Sequence, residues 1–177
     1  VARSFPDATV LDLGGGLGVP YKPGQDPLNL EALDASLATF RTAHPQFELW
    51  LEPGRYLAAE AGVLLATVMQ TKSKGETRYV GVDAGMHTLA RPALYGSWHH
   101  IINLSRLDQP MTSRAHIVGP ICETGDTLGH SRPLPDTHAG DILLVDTAGA
   151  YGMTMSNTYN RQPRPKEHTL PVLNRPK

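Results

Sequence analysis

Four glycines within residues 14–18 constrain this chain more than any other feature of its sequence. Helix and strand interiors tolerate such a run poorly, because glycine loses more conformational freedom on folding than any other residue. The run follows residues 10–13, which are apolar except for Asp12, so the sequence predicts a strand that ends in a glycine loop. Backbone N–H groups in such a loop can converge on a phosphate, and a plain tight turn is the alternative interpretation.

A helix and a second strand follow this loop. Apolar residues recur at helical spacing over 30–43, with Asn29 as the expected N-cap. Alternating polarity over 47–51 then predicts a strand, and the order strand, helix, strand is typical of a parallel α/β unit. Residues 52–55 add a carboxylate, a bend and a guanidinium that can bind phosphate or carboxylate, with a surface ion pair as the alternative.

The second half of the chain has a different pattern. Its β-prone segments, separated by clusters of Gly, Pro, Asp and Ser, are residues 63–71, 78–83, 114–118 and 141–146. We therefore predict an α/β domain at 1–61, followed at 62–177 by a C-terminal antiparallel β-sandwich or barrel domain. The first domain is too short for a whole (β/α)8 barrel, which needs roughly 200–250 residues, so it can form only part of one.

Composition and charge argue against several classes of partner. Sixteen Lys and Arg against 17 Asp and Glu leave a net charge of −1, which gives no broad basic field for nucleic acid. No apolar run is long enough to span a bilayer. Cys122 is the only cysteine, so neither an internal disulfide nor a multi-thiolate metal site is expected, and a reducing compartment is the default. We predict no metal, nucleic-acid or membrane partner.

Three further segments carry candidate chemistry. Arg91–Tyr95, predicted as a loop, offers a cation and a phenol to a substrate carboxylate, with surface decoration as the alternative. Cys122 lies beside Glu123 in a turn that could deliver a proton and bind an ammonium group, and a buried inert thiol is the alternative. Tyr151 follows an apolar strand and has small neighbours, which leaves room for a ligand.

Together these motifs resemble the fold-type III pyridoxal-phosphate decarboxylases, from Leu11 to the segment 160–167. The resemblance implies the C-terminal part of a cofactor-binding (β/α)8 (TIM) barrel and a β-domain, in a cytoplasmic homodimer with shared active sites. It also implies decarboxylation of meso-2,6-diaminopimelate to L-lysine, a step of lysine biosynthesis. The alternatives are a decarboxylase of another basic amino acid, and a non-catalytic remnant that serves as a dimerisation or ligand-binding module.

The resemblance also implies a role for each motif. The residues expected to bind pyridoxal 5'-phosphate are Gly14, Gly15, Gly16, Glu52, Pro53, Gly54, Arg55 and Tyr151. Those expected to bind the substrate are Arg55, Arg91, Tyr95, Glu123 and Tyr151. Glu52 would face the pyridine nitrogen and Glu123 the distal amino group of the substrate. Cys122 is the expected catalytic residue, which donates a proton after carbon dioxide leaves and acts on the neighbouring subunit's cofactor.

One required residue has no match. The chemistry of the family needs a lysine that binds the cofactor covalently, and the family carries it upstream of the glycine loop. None of the five lysines in the chain lies in a segment that resembles that motif: Lys22, Lys72, Lys74, Lys166 and Lys177. We therefore expect the chain to be the C-terminal part of a longer enzyme.

Overall fold

Two short parallel strands and one helix make up the N-terminal unit. The computed structural model describes residues 5–171 of the chain. The elements of this unit are β1 (Val10–Asp12), α1 (Leu30–Ala43) and β2 (Glu48–Trp50). The strands pair in parallel with Leu11 opposite Leu49, so the predicted order of strand, helix and strand is confirmed.

The helix α1 begins and ends where the sequence places its boundaries. The Asn29 side chain accepts a hydrogen bond from the backbone N–H of Ala32 at 2.9 Å, as an N-cap does. At the other end the N–H of His44 donates to the carbonyl of Phe40 at 2.9 Å, and Pro45 follows directly. Within the described chain no residue of α1 is fully buried.

A six-stranded sheet forms most of the remaining structure. Its strands are β3 (Leu64–Lys74), β4 (Thr77–Val82), β5 (Ile101–Asn103), β6 (Ser113–Val118), β7 (Thr127–Leu134) and β8 (Ile142–Val145). They lie in the order β5, β8, β3, β4, β6, β7. The Ile101 side chain of one edge strand lies against Gly129 of the other, so the sheet curls into a nearly closed barrel.

The barrel is mixed, not antiparallel. β4 and β6 run parallel, with Val80 opposite Ile117, whereas the other neighbours in the sheet are antiparallel. The prediction of a purely antiparallel domain is therefore wrong for this pair. The reason is the connection, because residues 83–112 include α3 (Arg91–Tyr95) and β5, and such a long crossover returns the chain in the same direction.

One apolar core fills the barrel. Val68, Val80, Ile117 and Leu143 come from four different strands, and all are almost completely buried. Buried and outward-facing residues alternate along β6, as expected for a strand with one face on a core. The strands of the barrel therefore share one interior.

Several elements were not predicted. Arg91–Tyr95, predicted as a loop, is the helix α3, which Gly96 ends in the left-handed conformation (φ 62°). β5 has only three residues, and β7 contains Pro133, which an edge strand tolerates. Another short helix, α4 (Gly152–Met155), was also not predicted, whereas α2 (Gly54–Ala58) lies where the sequence favours a short helix, over residues 56–61. None of the helices in residues 5–171 has the length and apolar character needed to cross a bilayer.

Candidate active site

The glycine loop after β1 presents backbone donors. Gly14 (φ 69°) and Gly16 (φ 82°) occupy the left-handed region that favours glycine. The Asp12 carboxylate accepts a hydrogen bond from the N–H of Gly14 at 2.8 Å and fixes the start of the loop. The N–H groups of residues 15–18 donate to no protein acceptor in the described part of the chain. Such a group of free donors suits an anion.

The pairing of β1 with β2 brings this loop against Glu52. The N–H of Glu52 donates to the carbonyl of Gly14 at 2.8 Å. A Cβ atom at position 15 would overlap the carbonyl oxygen of Glu52, so only glycine permits this approach. The carboxylate of Glu52 is exposed beside the loop. The two segments that the sequence predicted at neighbouring strand ends therefore meet.

Arg55 joins the two segments through its side chain. Its Nη2 donates to the carbonyl of Gly16 at 2.8 Å, and its Nε donates to the carbonyl of Leu17 at 3.2 Å. These bonds orient the loop carbonyls toward the guanidinium and leave the loop N–H groups free. Arg55, predicted as a direct ligand for phosphate or carboxylate, thus also fixes the conformation of the loop.

Arg91 lies next to Tyr151. The guanidinium of Arg91 is over the ring of Tyr151, 5.5 Å from its centroid. Arg91 is only 8% exposed, and its Nη1 donates to the hydroxyl of Tyr21 at 2.7 Å. Tyr95, on the same helix α3, is 68% exposed. Sequence reasoning missed Tyr21, which follows the glycine loop and carries no motif of its own.

His99 supports the side chain of Tyr21. It is fully buried and contacts the ring of Tyr21 edge to face, with 5.3 Å between the ring centroids. Its Nδ1 lies 2.9 Å from the carbonyl oxygen of Asp146. Burial lowers the pKa of His99, so the neutral imidazole is favoured near pH 7. His99 therefore packs against the tyrosine that holds Arg91.

A small second core links the glycine loop to the Tyr151 loop. Val19, Ala59 and Ala150 are buried together there. The N–H of Gly149 donates to the carbonyl of Ala59 at 3.0 Å, and a Cβ at position 149 would overlap the carbonyl oxygen of Ala58. This close backbone contact places the phosphate-competent loops and Tyr151 side by side.

Cys122 and Glu123 lie in an exposed turn between β6 and β7. The side-chain amide of Asn160 donates to the Sγ of Cys122 at 3.2 Å. The hydroxyl of Tyr159 donates to the Oε1 of Glu123 at 2.6 Å. That hydrogen bond and the carboxylate charge raise the pKa of Tyr159 above its ordinary value. Cys122 is exposed, so the alternative prediction of a buried thiol is wrong.

Asp126 fixes this turn to the segment that precedes α3. Its carboxylate is 3% exposed and accepts hydrogen bonds from the N–H groups of Met86 and Ile121, both at 2.6 Å. A Cβ on Gly85 or on Gly119 would overlap the carboxylate oxygens, so two glycines make room for it. The sequence contained Asp126 within the Cys122 motif, but nothing in its spacing indicated this role.

The predicted residues thus form two groups. Within residues 5–171, Cys122 and Glu123 make no hydrogen bond to the glycine loop, to Glu52 or to Arg55. The described residues also contain no cluster of three or more His, Cys, Asp or Glu side chains arranged to hold a metal ion. The group around the glycine loop, with Glu52 and Arg55, has the donors and the carboxylate for a phosphorylated ligand. The group of Cys122 and Glu123 has a thiol and a carboxylate.

These features define a class of protein. The chain belongs to the pyridoxal-dependent decarboxylases: the family model described as "Pyridoxal-dependent decarboxylase, C-terminal sheet domain" matches residues 9–149. Family membership confirms the resemblance drawn from the motifs.

Within this class the chain is similar to diaminopimelate decarboxylases. It is 41% identical over 164 residues to the enzyme of Methanothermobacter thermautotrophicus, covering 89% of the chain and 38% of that relative. It is 38% identical over 175 residues to the enzyme of Escherichia coli K12, covering 89% of the chain and 41% of the relative. The chain thus spans about two fifths of the length of these relatives.

A solved structure of the same kind of enzyme shares the fold. The diaminopimelate decarboxylase of Methanocaldococcus jannaschii in complex with L-lysine superposes with a TM-score of 0.80 at 39% identity. The match covers 88% of this chain and 36% of that structure. The mixed barrel and the preceding α/β unit are therefore an architecture that this enzyme also has.

Proposed function

We propose that this chain is the C-terminal part of a pyridoxal-phosphate-dependent decarboxylase that converts meso-2,6-diaminopimelate to L-lysine and carbon dioxide. The observation that carries the proposal is the contact between the glycine loop and Glu52, which places free backbone donors beside an exposed carboxylate. The lysine that binds the cofactor covalently would come from residues outside this chain.

The residues around the glycine loop fit pyridoxal 5'-phosphate. Its phosphate would bind to the free N–H groups of residues 15–18, within the loop that Arg55 holds. Glu52 would face the pyridine nitrogen and keep it protonated, and Pro53 and Gly54 shape the bend that follows. When bound, the cofactor supplies a ring that takes up the electrons released with carbon dioxide. Tyr151 would contact both the cofactor and the substrate.

The substrate differs from other basic amino acids in its second carboxylate. Arg55 retains Nη1 as a donor that is unused within residues 5–171, while Arg91 and Tyr95 lie on the helix next to Tyr151. Cations at these positions suit a distal carboxylate, because arginine binds carboxylates through two parallel hydrogen bonds. The carboxylate of Glu123 suits the distal ammonium group.

Cys122 would complete the reaction. Its Sγ holds the proton that is delivered to the carbon from which carbon dioxide has left. Cys122 makes no hydrogen bond to the glycine loop, Glu52 or Arg55 within residues 5–171, and we propose that it delivers the proton to the cofactor site of a second subunit, in a homodimer. The single cysteine of the chain fits the reducing cytoplasm, where we place the enzyme.

Decarboxylation of defined substrates by the complete, cofactor-loaded protein tests the proposal. We expect carbon dioxide release from meso-2,6-diaminopimelate and much slower release from lysine, ornithine and arginine, which lack the second carboxylate. Faster turnover of one of those three would replace the proposed substrate. No turnover of any of them by a protein that binds the cofactor would favour the non-catalytic alternative.

Substitution of the thiol tests the mechanism. In the complete enzyme we expect Cys122→Ala to lower kcat by about a hundredfold or more, as loss of a general acid does, with cofactor binding retained. If active sites are shared, mixing Cys122→Ala with Glu52→Ala subunits restores about a quarter of wild-type activity, because half of the dimers contain one intact site. Unchanged turnover would remove Cys122 from the mechanism, and no recovery on mixing would place each site within one subunit.

A further inference from the structure

The turn that follows α4 contacts both residues of the Cys122 and Glu123 pair. Its 3-10 turn spans Tyr159–Arg161, and Asn160 (φ 53°) adopts a left-handed backbone conformation within it. As a result two consecutive side chains reach the same partner segment. Tyr159 reaches Glu123, and Asn160 reaches Cys122.

The same turn is anchored on both sides. The N–H of Asn157 donates to the carbonyl of His87 at 2.9 Å, just before α3. After the turn, Arg164 donates from Nη2 to the carbonyl of Met153 and from Nε to the hydroxyl of Ser156, both at 2.8 Å. The turn is therefore fixed to the body of the protein, whereas Cys122 and Glu123 are exposed.

We propose that Tyr159 and Asn160 are positioning residues that hold the carboxylate of Glu123 and the sulfur of Cys122 in place for substrate and proton transfer. The inference deepens the proposed function and rests on it for the roles of Glu123 and Cys122. Neither Tyr159 nor Asn160 belongs to the residues that the sequence motifs assigned to the site.

Both contacts order a side chain that is exposed to solvent. An exposed glutamate has several rotamers, and ordering it costs conformational entropy unless a partner selects one of them. The 2.6 Å hydrogen bond from Tyr159 selects one. The 3.2 Å hydrogen bond from Asn160 likewise selects one rotamer of Cys122 and holds its sulfur at one position for proton transfer.

Kinetics of the complete, cofactor-loaded enzyme separate the two roles. We expect Tyr159→Phe to raise KM for meso-2,6-diaminopimelate about fivefold with little change in kcat, the usual size of one hydrogen bond. We expect Asn160→Ala to lower kcat about fivefold with little change in KM. Ser36→Ala is the control, because it removes one hydroxyl hydrogen bond on the exposed surface of α1 and should change neither constant. Unchanged constants in both test variants would overturn the proposal.

Two measurements on the same protein need no turnover. In a titration of tyrosine absorbance, the curve of wild type minus that of Tyr159→Phe gives the ionisation of Tyr159. The substitution Glu123→Gln should shift this ionisation to lower pH, because Glu123 raises the pKa of Tyr159. The rate at which iodoacetamide alkylates Cys122, followed by mass spectrometry of its peptide, should change about threefold in Asn160→Ala, because the sulfur loses the partner that orders it. If the wild-type protein has no decarboxylase activity, the proposed function fails. These two measurements then test by themselves whether Tyr159 and Asn160 hold Glu123 and Cys122. Equal alkylation rates and an unshifted titration would then overturn the inference.

Discussion

The two regions of the molecule differ in what they bury. The barrel strands β3 to β8 enclose a core in which Ile117 and Leu143 have no exposed surface. In the N-terminal unit α1 has no buried residue, Trp50 of β2 is 54% exposed, and Leu57 of α2 is 71% exposed. The barrel therefore contains its own stabilising interior, while the N-terminal unit, which carries the glycine loop and Glu52, contains almost none.

This difference corresponds to a division of the proposed site. The glycine loop and Glu52, which suit the cofactor, lie on the unit without a core, and Arg91, Cys122 and Glu123, which suit the substrate and the proton transfer, lie after the first barrel strands. Arg55 and Tyr151 contribute across this division. The small cluster of Val19, Ala59 and Ala150 connects the two. Relatives about two and a half times as long contain further residues that can cover the exposed apolar side chains of the N-terminal unit.

The largest effect should come from removing core volume in the barrel. We expect Ile117→Ala to lower the free energy of unfolding by about 3 kcal/mol, because a buried Ile→Ala change loses apolar contact and leaves a cavity. Leu37→Ala on the half-exposed face of α1 should cost below about 1 kcal/mol. Urea unfolding of the chain, followed by the fluorescence of Trp98 in a Trp50→Phe background, measures both values.

Equal costs for the two substitutions would contradict the comparison. That result would mean that Leu37 is covered in solution, for example by a second copy of the chain. Dependence of the Leu37→Ala cost on protein concentration would then identify association as the reason.

Local pattern was enough to predict the elements of the N-terminal unit. Helix α1 has a cap, a period and a proline stop within its own sequence, and the strand ends at residues 13 and 51 carry their own turn residues. The contact between the glycine loop and Glu52 agrees with the rule that parallel strand ends share one edge. None of these inferences needed knowledge of a distant partner.

The missed features depend on distant partners. Tyr21 is 70 positions from Arg91, and Tyr159 is 36 positions from Glu123. No periodicity connects such pairs, and neither tyrosine has a distinctive local sequence. The parallel pairing of β4 with β6 likewise depends on how a long crossover packs, and edge strand β7 lacks the apolar alternation that marks a strand.

A buried carboxylate, Asp141, should make the stability of the barrel depend on pH. Burial opposes the ionisation of Asp141, but hydrogen bonds from Arg106 (2.6 Å), from the N–H of His138 (2.9 Å) and from Asn103 (3.0 Å) lower its pKa to about 2. An unfolded aspartate has a pKa of about 3.9, so Asp141 contributes about 2 kcal/mol of stability above that pH. This contribution is lost as the pH falls through about 2.

Thermal unfolding between pH 2 and pH 7 tests this contribution. We expect Asp141→Asn to lower Tm at pH 7 and to flatten the loss of stability at acid pH. Asp34→Asn, on the exposed surface of α1, is the control and should leave both unchanged. If the Tm values of wild type and Asp141→Asn fall in parallel as the pH is lowered, other carboxyl groups determine the stability at acid pH.

The smallest expected effect is on binding of the cofactor by the glycine loop of the N-terminal unit. A Cβ at position 15 overlaps the carbonyl oxygen of Glu52, whereas position 18 has no heavy atom within 4 Å and does not need a left-handed backbone. Gly15→Ala should therefore push the two loops apart and weaken binding of pyridoxal 5'-phosphate to the complete protein about tenfold, with Gly18→Ala nearly neutral. Titration of cofactor absorbance measures both affinities. If the two variants bind the cofactor equally well, the contact between the glycine loop and Glu52 does not shape the phosphate site. If only Gly15→Ala loses affinity, the phosphate site lies in the N-terminal unit and does not depend on the barrel core.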